Sequence, residues 1–128
     1  MTAAPELLYL AWTQGFDIWF AEPSSVRMRA EVNEPFYFET RHEGTIRPHY
    51  GRFLHLEPGR LVEMTWVTGE GGTEGAETVV RVEFVKQPRG IRLRLRHSGF
   101  AGEAARNRHH DAWPAVLARL DERTTATV

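Results

Sequence analysis

The apolar residues near the start of the chain repeat at helical spacing. Pro5 is of a type favoured in the first turn of a helix, and the apolar residues behind it lie three and four positions apart. They are Leu8, Ala11 and Trp12. This spacing predicts a short amphipathic helix. Thr13 can cap a second short helix through Trp19, which should end near Pro23 because the residue before a proline avoids helical geometry.

From Ser25 onwards apolar and polar residues alternate, which is the pattern of a β-strand with one solvated face. The alternation recurs in six segments that are separated by turn residues. The predicted strands cover residues 26–32, 36–43, 49–56, 61–67, 80–84 and 91–97. In this register Trp66 and Phe84 should lie on the concave face of the sheet. The glycine-rich tract 69–75 is predicted to be a mobile loop.

After Gly102 the period returns to that of a helix. Its apolar stripe consists of Trp113, Val116, Leu117 and Leu120. Pro114 cannot donate a hydrogen bond to the carbonyl of His110, which predicts a kink or a restart of the helix with Asp111 as its cap. Strands run together and helices stand at both ends, so the pattern predicts one α+β domain over residues 1–128, built on an antiparallel sheet of about six strands.

The composition narrows the function classes. The 16 basic residues nearly balance the 17 acidic ones, so we expect neither nucleic acid nor a membrane surface as a partner. The absence of cysteine excludes disulfides, thiolate catalysis and Cys-ligated zinc. No stretch approaches the roughly 20 apolar residues of a membrane span, and no signal-peptide pattern opens the chain. We therefore expect a cytoplasmic protein without a cofactor.

Five segments, taken in order, resemble the activator of heat-shock protein 90 ATPase homologue family of the START-like, or SRPBCC, superfamily. They are residues 5–13 with Trp19 downstream, 50–58, 60–66, 94–100 and 112–120. The resemblance implies the helix-grip fold, in which a curved antiparallel sheet wraps around a long C-terminal helix. The family begins with a strand before its first helix, whereas this chain starts almost at the helix. An edge left open in this way is rarely bare in natural proteins, which predicts a homodimer that covers it.

The bent sheet also predicts a pocket, because one helix cannot fill the full depth of its concave face. Apolar and aromatic inward faces suit a small hydrophobic or aromatic ligand. The predicted ligand-binding residues are Phe36, Phe38, Tyr50, Met64, Trp66, Phe84, Leu95, His97 and Trp113. The alternative is that these side chains simply fill the core.

His97 is in phase with Leu93 and Leu95, so it should point inward. There it either moves a proton near neutral pH or serves as a hydrogen-bonded structural histidine. Three of the basic residues in the helical turns that precede Trp113 can reach the pocket mouth and hold an anionic ligand end, or else they form an exposed helix start. They are Arg106, His109 and His110. Adjacent histidines point about 100° apart on a helix, and no other histidine spacing fits a metal, so no metal site is predicted.

Three functions compete at this point. The first is a non-enzymatic protein that binds a small hydrophobic or aromatic molecule. The second is an enzyme of the cyclase or hydratase kind that some SRPBCC relatives show, with His97 and either Tyr50 or Glu39 as proton carriers. The third is a chaperone-associated module, which the family resemblance alone implies.

Overall fold

The computed structural model describes residues 1–69 and 71–125. Within them the chain forms two α-helices, one 3-10 turn and five strands. In chain order they are α1 (Pro5–Thr13), the 3-10 turn (Phe16–Ile18), β1 (Pro35–His42), β2 (Thr45–Glu57), β3 (Leu61–Trp66), β4 (Thr78–Lys86), β5 (Ile91–Ser98) and α2 (Glu103–Thr124). The predicted fold class is confirmed, with five strands in place of about six. No helix in the described residues is long and apolar enough to cross a membrane.

The strands form one antiparallel sheet in the order β1-β2-β3-β4-β5, so each strand pairs with its neighbour in sequence. Two features of β2 bend this sheet. The register shifts between Phe53 and His55, and a Cβ on Gly51 would lie only 2.2 Å from the carbonyl oxygen of Thr65. Glycine at position 51 therefore lets β2 fold closely over β3, which makes the sheet concave.

The segment 26–32 is not a strand, which corrects the prediction. Its alternation is real, since Val26 and Met28 pack against the core while Arg27 and Arg29 are exposed. However, it makes only one isolated bridge to the sheet, between Arg27 and Tyr37. The alternation of polar and apolar residues thus predicted correctly which side chains face the core. It did not show that the backbone lacks the hydrogen bonds of a paired strand.

The core lies on the concave face and is mostly aromatic. Trp66 and Phe84 are buried there, which confirms the predicted register of β3 and β4. The N-terminal elements supply the centre of the core, because Trp12 and Phe16 are fully buried. Phe16 stacks on Phe38 with ring centroids 4.5 Å apart.

Helix α2 packs on the sheet through only a few side chains, of which Trp113 is the largest. Only four of its 22 residues are buried: Ala105, Trp113, Leu120 and Thr124. It continues without a break through Pro114, so the predicted restart with Asp111 as its cap is wrong. A proline removes one hydrogen bond and crowds the carbonyl four residues earlier, but the anchoring of Trp113 and Leu120 in the core holds the turns on either side. The space left beside the helix becomes the cleft described below.

The tract 69–75 is anchored, contrary to the predicted mobile loop. Thr73 is fully buried and exchanges hydrogen bonds with Thr68, from the amide of each residue to the hydroxyl of the other, at 2.9 and 2.7 Å. The hydroxyl of Thr73 also donates to the carbonyl of Thr68. Glu70 lies outside the described residues. The threonine pair holds this segment, here called the glycine loop, in a closed turn.

Candidate ligand-binding cleft

A cleft of about 830 Å³ lies between α2, the β1–β2 hairpin and the glycine loop. Its aromatic wall comes from three elements: Phe20 after the 3-10 turn, Trp66 at the end of β3 and Trp113 in the middle of α2. The ring centroids of Trp66 and Trp113 are 5.7 Å apart. Helix residues from Arg108 to Arg119 line one side, a distance of about 16 Å at 1.5 Å per residue. The cleft is therefore long enough for a flat or elongated molecule.

A chain of hydrogen bonds fixes the wall beside Trp113. The indole N–H of Trp113 donates to Nδ1 of His97 at 3.1 Å. Because that nitrogen accepts, the proton of the neutral imidazole is on Nε2, which donates to the hydroxyl of Thr78 at 2.7 Å. The hydroxyl of Thr78 in turn donates to the carbonyl of Trp66. The network orients the indole of Trp113, ties it to the backbone of Trp66, and leaves His97 no nitrogen with which to exchange a proton.

Burial and the nearby charge of His109 lower the pKa of His97 to about 3. Protonation would also place a hydrogen on the nitrogen that accepts from Trp113. His97 is therefore neutral at physiological pH. It is a structural residue that links the sheet to the helix through hydrogen bonds, and not a proton carrier.

His49 lies in the cleft at a position that the sequence reasoning missed. Its ring stacks on Phe38 at 4.9 Å and meets Trp66 edge to face at 5.3 Å. Nδ1 donates to the carbonyl of Arg47 at 3.1 Å, which is the one hydrogen bond that the ring makes to the described residues. Burial lowers the pKa of His49 to about 4, against the opposing effect of the bond to Arg47. A neutral His49 thus offers the cleft one unprotonated nitrogen.

The cleft is also basic. Arginine side chains reach it from both the hairpin and the helix: Arg41, Arg47, Arg108 and Arg119. Arg108 donates to the carbonyl of Gly72 at 3.0 Å and to the carboxylate of Glu74 at 2.9 Å. It therefore ties α2 to the glycine loop and closes one end of the cleft.

The structure separates the predicted ligand-binding residues into three groups. Trp66 and Trp113 line the cleft. The second group lies in or against the core, outside the cleft lining: Phe36, Phe38, Met64, Phe84, Leu95 and His97. Tyr50 alone points away from both.

Tyr50 is half exposed and pairs with Tyr37 on the convex face of the sheet. The predicted place of Tyr50 in the pocket is therefore wrong, and His49 occupies the inward position instead. Glu39 shares the convex face, where it accepts a hydrogen bond from the hydroxyl of Tyr37 at 2.7 Å. Neither of the two proposed proton carriers can meet His97 in one site, since the sheet lies between them.

Of the three basic residues predicted to reach the pocket mouth, only one lines the cleft. His109 lines the cleft and donates from Nδ1 to the carbonyl of Ala105 at 2.8 Å. Arg106 and His110 are exposed and lie outside the lining. Among the described residues, no group of three His, Asp or Glu side chains is placed to hold a metal ion.

Comparison with known proteins identifies the family. The model of the family described as "Activator of Hsp90 ATPase homolog 1-like protein" matches residues 2–124. The chain belongs to this family. No curated protein matches it.

Solved structures show the same Hsp90-activator-homologue fold. Protein MLL2253 from Mesorhizobium loti is 22% identical, with a TM-score of 0.77 over 96% of this chain and 90% of that one. Protein CV1439 from Chromobacterium violaceum is 19% identical, with a TM-score of 0.79 over 99% and 94%. The Aha1 dimer from Colwellia psychrerythraea, a solution structure, is 19% identical, with a TM-score of 0.68 over 100% and 93%. At these identities the likeness extends to the fold alone.

Proposed function

We propose that this protein binds a small hydrophobic or aromatic molecule in the cleft between α2 and the sheet. The observation that carries the proposal is the cleft itself, whose volume of about 830 Å³ falls within the usual range of ligand pockets. Trp66 and Trp113 offer two indole rings that burial holds in place, and the indole of Trp113 is also hydrogen-bonded to His97. Rings that are already fixed before binding lose little conformational freedom when a flat ligand packs on them.

The cyclase or hydratase alternative receives less support. It requires two ionisable groups that converge on one ligand, whereas His97 is fully hydrogen-bonded and both its suggested partners lie on the other face. Association with a chaperone stays a prediction from the family resemblance.

A fluorescent apolar probe tests the proposal. Phenylnaphthylamine, which is uncharged and brightens in apolar surroundings, should bind the purified protein at a single site. Replacing Ala112 with tryptophan should fill the cleft, because Ala112 lines it, and should weaken binding by about tenfold or more, because the new indole occupies the space of the probe.

Ala118→Trp is the matched control for this experiment. Ala118 is exposed on the same helix and does not line the cleft, so the variant should bind the probe as the parent does. An unsubstituted protein that fails to bind any apolar probe would overturn the proposal. Equal weakening by both tryptophan variants would place binding somewhere other than the cleft.

We also propose that the outer edge of β5 associates with a second copy. Met1 and Ile91 exchange two backbone hydrogen bonds across this edge, at 2.7 and 2.8 Å. By strand alternation the backbone groups of Leu93 and Leu95 face the same way, and no described residue outside the sheet bonds to them. The Colwellia relative is a dimer, which supports self-association in this fold.

The arginines of β5 set the expected salt dependence of this dimer. Arg92, Arg94 and Arg96 are exposed on one face of the strand, and pairing two copies would bring the two stripes close together. Light scattering should therefore show a dimer whose fraction rises as salt is raised to about 1 M, where the screening length is about 3 Å. A strict monomer at high protein concentration, both at low salt and at about 1 M salt, would contradict the proposal.

A further inference from the structure

We propose that the cleft selects organic anions: the ligand is an aromatic or hydrophobic molecule whose charged end, a carboxylate or sulfonate, lies between Arg47 and Arg108. This inference rests on the proposed function and narrows it to a class of ligand. It follows from the charge of the cleft lining, from the convergence of two guanidinium groups, and from a hydrogen-bond donor that has no partner among the described residues.

The charge of the lining has one sign. Four arginines line the cleft, Arg41, Arg47, Arg108 and Arg119, together with three histidines, of which His49 is neutral. The described lining residues include no aspartate or glutamate, although the chain as a whole has 17 acidic residues against 16 Lys and Arg. A cleft lined by charges of one sign attracts ligands of the opposite sign.

Two guanidinium groups converge at the glycine-loop end from facing walls. A Cβ built on Gly71 would lie 3.4 Å from Nη1 of Arg47, so that group, which comes from β2, sits over the glycine. Arg108 reaches from α2 to the carbonyl of the adjacent Gly72. Of these two arginines, only Arg108 has an ion-pair partner among the described residues, namely Glu74 at 2.9 Å. An anion placed between the two arginines would relieve their mutual repulsion.

Trp66 supplies a further donor to the cleft. It is the last residue of β3 and precedes the glycine loop by two residues, Val67 and Thr68. It lines the cleft, and its hydrogen bond to Thr78 is made by its backbone carbonyl, which leaves the indole N–H without a partner among the described residues. An unpartnered indole donor in a cleft that also holds two guanidinium groups suits an anionic oxygen acceptor.

The apolar wall fixes how the rest of the ligand lies. Along α2, Ala112, Trp113 and Val116 follow Arg108 and His109 toward the far end of the cleft. A ligand with its anion at the glycine loop therefore lays its apolar part on these residues. The far end holds Arg119 and also Arg41, which is paired with Glu22 at 3.0 Å.

A pair of probes with one scaffold isolates the role of the charge. Anilinonaphthalene sulfonate differs from phenylnaphthylamine by its sulfonate group. We expect the sulfonate to bind about tenfold tighter, as for one charge-assisted hydrogen-bond pair, and the advantage to fall below about threefold near 1 M salt. Naphthoate should displace the sulfonate, whereas its neutral amide should displace it only weakly.

Charge variants locate the anion. Arg47→Gln should weaken sulfonate binding by about tenfold and leave phenylnaphthylamine binding unchanged. Glu74→Gln keeps an acceptor for Arg108 but removes a negative charge, so it should strengthen sulfonate binding. Two controls remove the same charge elsewhere: Arg119→Gln at the far end of the cleft and Arg92→Gln on the exposed face of β5. Both should change the preference for the sulfonate by less than about threefold.

The outcomes separate this inference from the proposed function. If phenylnaphthylamine binds and the sulfonate binds no better, the anion inference fails while the cleft remains a binding site. If neither probe binds, the proposed function fails and the inference fails with it. If Arg119→Gln abolishes the preference while Arg47→Gln preserves it, the placement between Arg47 and Arg108 is overturned.

Discussion

Alanine in place of Trp113 is expected to lower the free energy of unfolding by about 3–5 kcal/mol, the usual cost of removing a buried aromatic side chain. Trp113 is only 8% exposed, and its ring lies 5.9 Å from that of Trp12 and 5.7 Å from that of Trp66. It is one of the few α2 side chains buried in the core, so its loss should loosen the helix and widen the cleft. Urea denaturation of the parent and the variant measures the effect.

Two companion variants separate the parts of this effect. Trp113→Phe keeps an aromatic ring but leaves Nδ1 of His97 without its donor, so it should cost about 1–3 kcal/mol. Glu122→Ala, at an exposed position of the same helix, should change stability by no more than about 0.5 kcal/mol. A Trp113→Ala protein within about 1 kcal/mol of the parent would mean that the indole does not anchor α2.

Acidification should destabilise the fold strongly, because two histidines are held neutral. The pKa of His49 is lowered to about 4 and that of His97 to about 3, in both cases chiefly by burial. In the unfolded chain both should titrate near 6.5. The unfolded state therefore binds more protons below that pH. The stability that these groups contribute is complete above pH 6.5 and is lost as the pH falls toward the folded values.

The size of the acid effect follows from the slope of about 1.4 kcal/mol per pH unit for each proton. From neutral pH to pH 5 the two histidines together should cost about 3–4 kcal/mol of unfolding free energy. The charged groups that act on them are His109 on both rings and Arg47 on His49.

Denaturation curves at the two pH values measure the loss. His49→Phe keeps a ring against Phe38 and removes one titrating group, so it should roughly halve the pH dependence. An unfolding free energy that is equal at neutral pH and at pH 5 would contradict the assignment of both histidines as buried and neutral.

The sequence predicted the sheet well because a side-chain period of two survives in most strands. It failed at Tyr50 because the register shift between Phe53 and His55 changes which alternate residues face inward. Leu56 packs against the core on one side of that shift, and His49 faces inward on the other, so the two positions have opposite parity. A bulge of this kind has no clear signature in the pattern of polarity.

The cleft was only partly predictable. Trp66 and Trp113 could be found from strand and helix phase, since both lie on apolar faces. Arg47 and Arg108 could not, because their role depends on the glycine loop that meets them, and that loop is fixed by the Thr68–Thr73 hydrogen bonds. A tract of glycines and polar residues resembles a mobile loop unless those pairings are known. The charge of the cleft therefore emerges only from the tertiary structure.

The most direct test of the cleft as the ligand site is to follow the indole N–H resonances of the four tryptophans by NMR while phenylnaphthylamine is added. Trp66 and Trp113 line the cleft, whereas the indole of Trp19 is buried and bonded to the carbonyl of Ala11 at 2.9 Å. Saturating probe should shift the Trp66 and Trp113 resonances and leave that of Trp19 in place. Binding that shifts Trp19 but leaves Trp66 and Trp113 unmoved would contradict the account.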